Sequence, residues 1–303
     1  MWPLTVPWRD LRFGVELEFV GGRPADLALL PGWRLLPGEL QVDDDGAESG
    51  GELVPPPLTW ARRDEIRSVL AGLRGVGARA NWDCGLHVHV GLGPWGEDAV
   101  LPLLRAALTA QDALRDLVRA ADHRLRFCPP VDAAMVEAYA RQPGPDALDR
   151  PGRPQAHRCG IHAGSWYNVG TVEIRYANGS LRAAEVLRTV ELCLRFVAAV
   201  GRGAALPAGA AELAAAVGAP QRGYPPPQSA PLWYRERLWM EDALLPALGP
   251  EALARVPGEV HHLRPAPDGR ILVAVELPDG ETLETVAFRW SDGAWRAEGG
   301  GRR

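Results

Sequence analysis

Three short segments place polar side chains at every second position between apolar ones: Phe13-Gly14-Val15-Glu16-Leu17-Glu18-Phe19, Leu86-His87-Val88-His89-Val90 and Thr171-Val172-Glu173-Ile174-Arg175-Tyr176. A strand sends successive side chains to opposite faces, so each segment is expected to bury one face and carry its polar groups on the other. Glu16 shares parity with Glu18, His87 with His89, and Glu173 with Arg175. Carboxylates away from bulk water are costly unless cations neutralise them. Three such strands in one sheet would form a wall suited to metal ions, and that wall is the candidate active site.

The alternation also bears on the fold. Helical spacing separates the strands, at Ile66, Val69, Leu70 and Leu73, again from about residue 98 to 119, and at Val186, Val190, Leu194 and Val197. Spacing alone allows a parallel α/β sheet or an antiparallel sheet with helices on one face. A sheet covered on both sides would show nearly continuous apolar strands, whereas these alternate, so the expectation is an α+β fold with one open, concave polar face. The 303 residues, 47% of them hydrophobic, suffice for such a core.

Residues 1–200 are expected to form the catalytic domain, with turns and two short strands in the Gly- and Pro-rich stretch from Gly32 to Pro57. An Ala-, Gly- and Pro-rich linker with short helices over 201–256 would complete the core. Residues 257–303 are expected to be a small β-meander, turned at Asp279-Gly280 and Ser291-Asp292-Gly293 and frayed from Gly299. It carries no chemical motif, so packing or a protein partner is its expected role.

Inventory excludes several functions. All 33 basic residues are arginine, so no lysine can serve a P-loop, a Schiff base or a kinase-type nucleotide site. A net charge of -5 argues against general nucleic-acid binding. No apolar run approaches the roughly 20 residues of a membrane span, and Met1-Trp2-Pro3-Leu4 does not resemble a signal peptide, so a cytoplasmic location is expected. Cys84, Cys128, Cys159 and Cys193 lack C-x-x-C spacing and are expected to be reduced, buried thiols. A Cys84–His87 dyad is disfavoured because residues three apart on a strand face opposite ways.

The donor types narrow the metal. Glu16, Glu18, Glu52 and Glu173 with one or two imidazoles suit Mg²⁺ or Mn²⁺ better than zinc. Divalent ions near an arginine suggest phosphate, hence nucleotide chemistry without a P-loop.

The ordered motifs Gly14-Val15-Glu16-Leu17-Glu18, Gly51-Glu52-Leu53-Val54-Pro55-Pro56, Cys84-Gly85-Leu86-His87-Val88-His89-Val90 and Gly170-Thr171-Val172-Glu173-Ile174-Arg175-Tyr176-Ala177-Asn178-Gly179-Ser180-Leu181 resemble those of the amidoligase family, over roughly residues 10 to 200. That family stands with glutamine synthetase and glutamate-cysteine ligase. The resemblance implies an antiparallel sheet curved into a funnel that binds ATP with Mg²⁺ or Mn²⁺. It also implies amide formation through an acyl phosphate, from a small-molecule or peptide carboxylate and an amine. Glu16, Glu18, Glu52, His87 and Glu173 would be metal ligands, and Arg175 would act on the transferring phosphate beside Glu173. Arg124 and Arg126, which precede Phe127-Cys128-Pro129, are candidates for nucleotide or substrate binding, as is Asn178 in the last motif. For His89, support of the site or phosphate binding competes with a simple structural hydrogen bond. His157-Arg158-Cys159-Gly160-Ile161-His162 departs from the family pattern, with His162 where asparagine is expected. The resemblance also makes Asp43, Asp44 and Asp45 candidates for the family's acidic turn, which sequence does not separate.

Two other functions remain open from the residues. One is a metal-dependent hydrolase using His87 and His89 to activate water on an amide. The other is a nucleotide-binding regulatory protein without turnover.

Overall fold

The computed structural model describes residues 1–36, 40–148, 159–278 and 282–298. The expected turn at Asp279-Gly280, the departures at His157 and Arg158, and the tail from Gly299 lie outside the described residues. The strands are β1 (Phe13–Gly21), β2 (Arg34–Leu36), β3 (Gln41–Val42), β4 (Glu48–Ser49), β5 (Gly51–Val54), β6 (Ala78–Arg79), β7 (Gly85–Gly91), β8 (Ile161–His162), β9 (Thr171–Asn178), β10 (Glu259–Pro265), β11 (Ile271–Glu276), β12 (Leu283–Ser291) and β13 (Ala294–Ala297). The α-helices are α1 (Asp64–Gly75), α2 (Val100–Val118), α3 (Ala133–Arg141), α4 (Ser165–Val169), α5 (Ala183–Gly201), α6 (Ala210–Val217) and α7 (Leu232–Arg255). The fold is α+β with antiparallel sheets, as the alternation led one to expect.

The chain divides into two compact units, the second beginning at Ala230. The first contains a sheet in the order β2-β5-β1-β7-β9-β8, with β6 added to β1 and every neighbouring pair antiparallel. One face of this sheet carries Phe13, Val15, Leu17, Phe19, Leu86, Val88, Val90, Val172 and Ile174, all buried. Helices α2 and α5 bring Leu103, Leu104, Leu114, Val186, Val190 and Leu194 to the same core. Each large apolar side chain removed from water stabilises the fold by about 1.5–3 kcal/mol, which is why period-2 strands and period-3.6 helices meet there. Helix α3 starts where the Asp132 carboxylate accepts the Met135 N–H at 2.8 Å.

Residues 201–229 continue the first unit, with Leu213, Ala214 and Val217 of α6 in its core. The short helices expected beyond Trp233 form one helix, α7, which runs through Pro246 and Pro250. In the second unit, α7 lays Leu248 and Ala252 against Leu263, Val273, Val275 and Phe288 of an antiparallel sheet in the chain order β10-β11-β12-β13. The hairpin at Ser291-Asp292-Gly293 has positive φ at Asp292 (52°) and Gly293 (76°), the requirement of a two-residue I′ turn. Among the described residues, no helix is long and apolar enough to cross a membrane.

Candidate active site

The β1–β7 ladder sets Glu16 opposite His87, and the β7–β9 ladder sets His89 opposite Glu173. The β1–β5 ladder sets Glu18 opposite Glu52. Opposed residues share a face, so all six polar groups reach one side of the sheet. The ladder slips between Leu86 and Val88, where Arg175 and Tyr176 of β9 oppose His87 alone. Such a bulge re-aims side chains and is common beside active sites.

Two glycines make this packing feasible. Gly50 (φ 77°) precedes β5, and a Cβ there would lie 1.9 Å from the Phe19 carbonyl oxygen, so only glycine lets Glu52 reach β1. A Cβ on Gly85 would lie 2.3 Å from Arg124 Nη2 and 2.8 Å from His87 Nε2.

Glu16 uses both oxygens: Oε2 is 2.7 Å from His87 Nδ1 and Oε1 is 2.8 Å from His89 Nε2. Burial raises its pKa, but hydrogen bonds and charge from the two imidazoles outweigh that and hold the carboxyl well below the usual range. Burial conversely lowers His89, yet Glu16 and Glu173 lift it above its ordinary value. His89 Nδ1 also meets Thr171 Oγ1 at 2.9 Å. His87 is buried, with Nε2 3.5 Å from Glu18 and Nδ1 3.5 Å from Glu173. Arg175 donates to Glu173, and Ser165 Oγ stands 3.5 Å from the other Glu173 oxygen.

Two groups could hold a metal ion, with donor atoms within 4.8 Å of one another: Glu16, His89 and Glu173, and Glu16, Glu52 and His87. Glu16 belongs to both. Each group has two carboxylates and one imidazole, a donor set that suits a hard divalent ion. Glu18 stands in neither group; one of its oxygens accepts the Gly85 N–H and the other lies 3.5 Å from His87 Nε2.

The other sequence candidates separate. Arg124 is buried beside His87 and donates to the carbonyls of Cys84 (3.0 Å) and Arg175 (3.2 Å), so it braces the ends of β7 and β9 next to the wall. Asn178 is not brought to the cluster: its amide accepts from Ala121 N and donates to the carbonyls of Arg119 and Pro225. Both of its hydrogens are thereby committed to holding the end of β9. Arg126 lies partly buried in the turn Asp122–Arg126. Asp43 and Asp45 hold the β3–β4 hairpin through Ser49, Arg79 and the Ala47 N–H, outside both metal groups. His162 is buried opposite Glu173 in the β8–β9 ladder. All four cysteines are free and buried, and burial pushes the Cys84 thiol far up, against a nucleophilic role.

Sequence reasoning missed a cavity of about 680 Å³ that opens beside Glu16, Glu52 and His89 and is also lined by Arg12 and Arg34. Arg12 has the parity of Gly14, Glu16 and Glu18, so extending the alternation one position back would have found it. Arg34 sits on a three-residue strand in a turn-rich stretch, where periodicity gives no signal.

Antiparallel strands thus gather four glutamates and two histidines on one face, a set of donors that could hold metal ions. The family model described as putative amidoligase enzyme matches residues 36–197, more than half of the chain, and the chain belongs to that family. The match includes Glu52, His87, Glu173 and Arg175, whereas Glu16 and Glu18 lie before it and join the site through the β1 ladders. No curated protein matches the chain.

Proposed function

We propose that this protein is an ATP-dependent carboxylate-amine ligase that works on the polar face of its sheet. The observation that carries the reading is the double engagement of Glu16 by His87 and His89 at the junction of two carboxylate-rich donor groups, in an amidoligase-family chain. Glu16, Glu52 and His87 would hold one Mg²⁺ or Mn²⁺, and Glu16, His89 and Glu173 a second. Bound there, the ions would supply charge neutralisation for phosphate oxygens.

The chain's own groups do the rest. Glu173 fixes the Arg175 guanidinium, which is thereby oriented toward developing phosphoryl charge instead of searching rotamers. Glu18 stays with the Gly85 N–H and steadies the start of β7, and so the placement of His87. Arg124 holds the carbonyls that flank the Arg175 bulge.

In this reading, a substrate carboxylate oxygen bonds to the γ-phosphorus of ATP and the bond to ADP breaks. An amine nitrogen then bonds to the acyl carbon, phosphate leaves, and the nitrogen gives up a proton. The reading includes a glutamine synthetase-like use of the sheet, with the two substrates meeting over Glu16 and Glu173. Alignment of the reactants would supply much of the acceleration, since fixed geometry contributes up to about 7–11 kcal/mol. The test is a screen of carboxylate and amine pairs for ADP release. ADP and phosphate in equal amounts, only with Mg²⁺ and both substrates, support the ligase. Amide cleavage without ATP would replace it with the hydrolase.

A further inference from the structure

The cavity beside Glu16 holds two cations that the site's own contacts leave unused. Its floor at Gly14 and Gly91 presents no side chain, and Pro55, Pro57 and Pro94 give it an apolar wall. Glu16, Glu52 and His89 line it as well. Arg12 and Arg34 supply the positive charge.

The register fixes where these arginines stand. Arg34 is opposite Val54, and Val54 follows Leu53, which pairs with Leu17, so one row across the sheet runs from Arg34 through Val54 to Glu16. Neighbouring strands are about 4.8 Å apart, which puts the Arg34 backbone roughly 10 Å from that of Glu16. Arg12 lies on the same face as Glu16, four residues earlier, or roughly 13 Å along the strand. Its carbonyl accepts the Gly91 N–H at 2.9 Å, which keeps the backbone in line with β1.

Both side chains are exposed, and among the described residues neither has a hydrogen-bond or ion-pair partner. The arginines on the other side of the cluster are committed, Arg175 to Glu173 and Arg124 to backbone carbonyls. An anion in the cavity would be repelled by Glu16 and Glu52 except where metal neutralises them, and attracted by Arg12 and Arg34. A ligand with one carboxylate at each end satisfies both.

We propose that this cavity seats the acid substrate, and that Arg12 and Arg34 bind a second carboxylate on it. The enzyme would then select molecules carrying two acidic groups a few carbon atoms apart. This assignment rests on the ligase reading, in which Arg175 serves the phosphoryl group and leaves the opposite end of the row to the acid.

Calorimetric titration of the full chain with Mg²⁺ and no nucleotide tests it. The probes are succinate, glutarate and adipate, each against the monoacid of equal length, butyrate, pentanoate and hexanoate; MgADP is titrated separately. At least one diacid is expected to bind about tenfold or more tightly than its monoacid. Arg12→Gln with Arg34→Gln should abolish that preference with MgADP affinity unchanged, and Arg12→Lys with Arg34→Lys should retain most of it. Equal binding of every diacid and its monoacid would overturn the proposal. So would a comparable loss of MgADP affinity in the glutamine variant, which would give the arginines to the nucleotide. A diacid preference that depends on both arginines, in a protein that binds no MgADP, would sustain this assignment and count against the ligase reading.

Discussion

Glu16 stands directly opposite His87 in the β1–β7 ladder and meets its Nδ1 at 2.7 Å, while its other oxygen is held by His89. One carboxylate thus joins both donor groups, and its side chain is only 23% exposed.

Glu16→Gln keeps the shape and removes the charge. Loss of an outer-shell partner costs about 10–100-fold in metal affinity, and loss of a ligand shared by two groups should cost more. Mn²⁺ titration calorimetry should show this while circular dichroism stays unchanged. Affinity within about twofold of wild type would remove Glu16 from the metal ligands.

Arg124→Ala removes a buried guanidinium that braces Cys84 and Arg175. Hydrogen bonds to charged groups contribute about 1.5–3 kcal/mol, so the variant should lose about 2–4 kcal/mol of unfolding free energy in urea. Unchanged stability with lost nucleotide binding would return Arg124 to the ligand-binding role expected from the sequence.

His262 supplies a pH dependence in the second unit. Burial, then the charges of His261, Arg237 and Arg264, push it down from its ordinary 6.5 to about 4. Between these values the unfolded chain binds a proton that the folded chain refuses, so this group costs no stability above 6.5 and costs progressively more as pH falls toward 4. His262→Gln should flatten the fall of the thermal midpoint over that window. Superimposable profiles for the two proteins would contradict this.

The sequence showed the wall because the alternation was strict: every apolar residue of the three strands that was expected inside is inside, and Glu16, His87, His89 and Glu173 meet. It failed where local patterns break. Strand β10 falls in the expected β-meander, and a register shift between Val260 and His262 breaks its period. Helix α7 read as short pieces because Pro246 and Pro250 interrupt it, although tertiary packing of Leu248 and Ala252 holds it together. Asn178 lay in a matching motif, yet its amide is spent on the backbone of Ala121, Arg119 and Pro225, partners distant in sequence. Periodicity reports which face a side chain takes, not which long-range groups will occupy it.

The central claim is that a carboxylate is activated by ATP on this wall. With a productive acid and amine pair, the acid is supplied with ¹⁸O in its carboxylate and the released phosphate is analysed by mass spectrometry. An acyl phosphate passes one carboxylate oxygen to phosphate when the amine displaces it, so the account predicts one ¹⁸O per phosphate released. Phosphate free of ¹⁸O would contradict it.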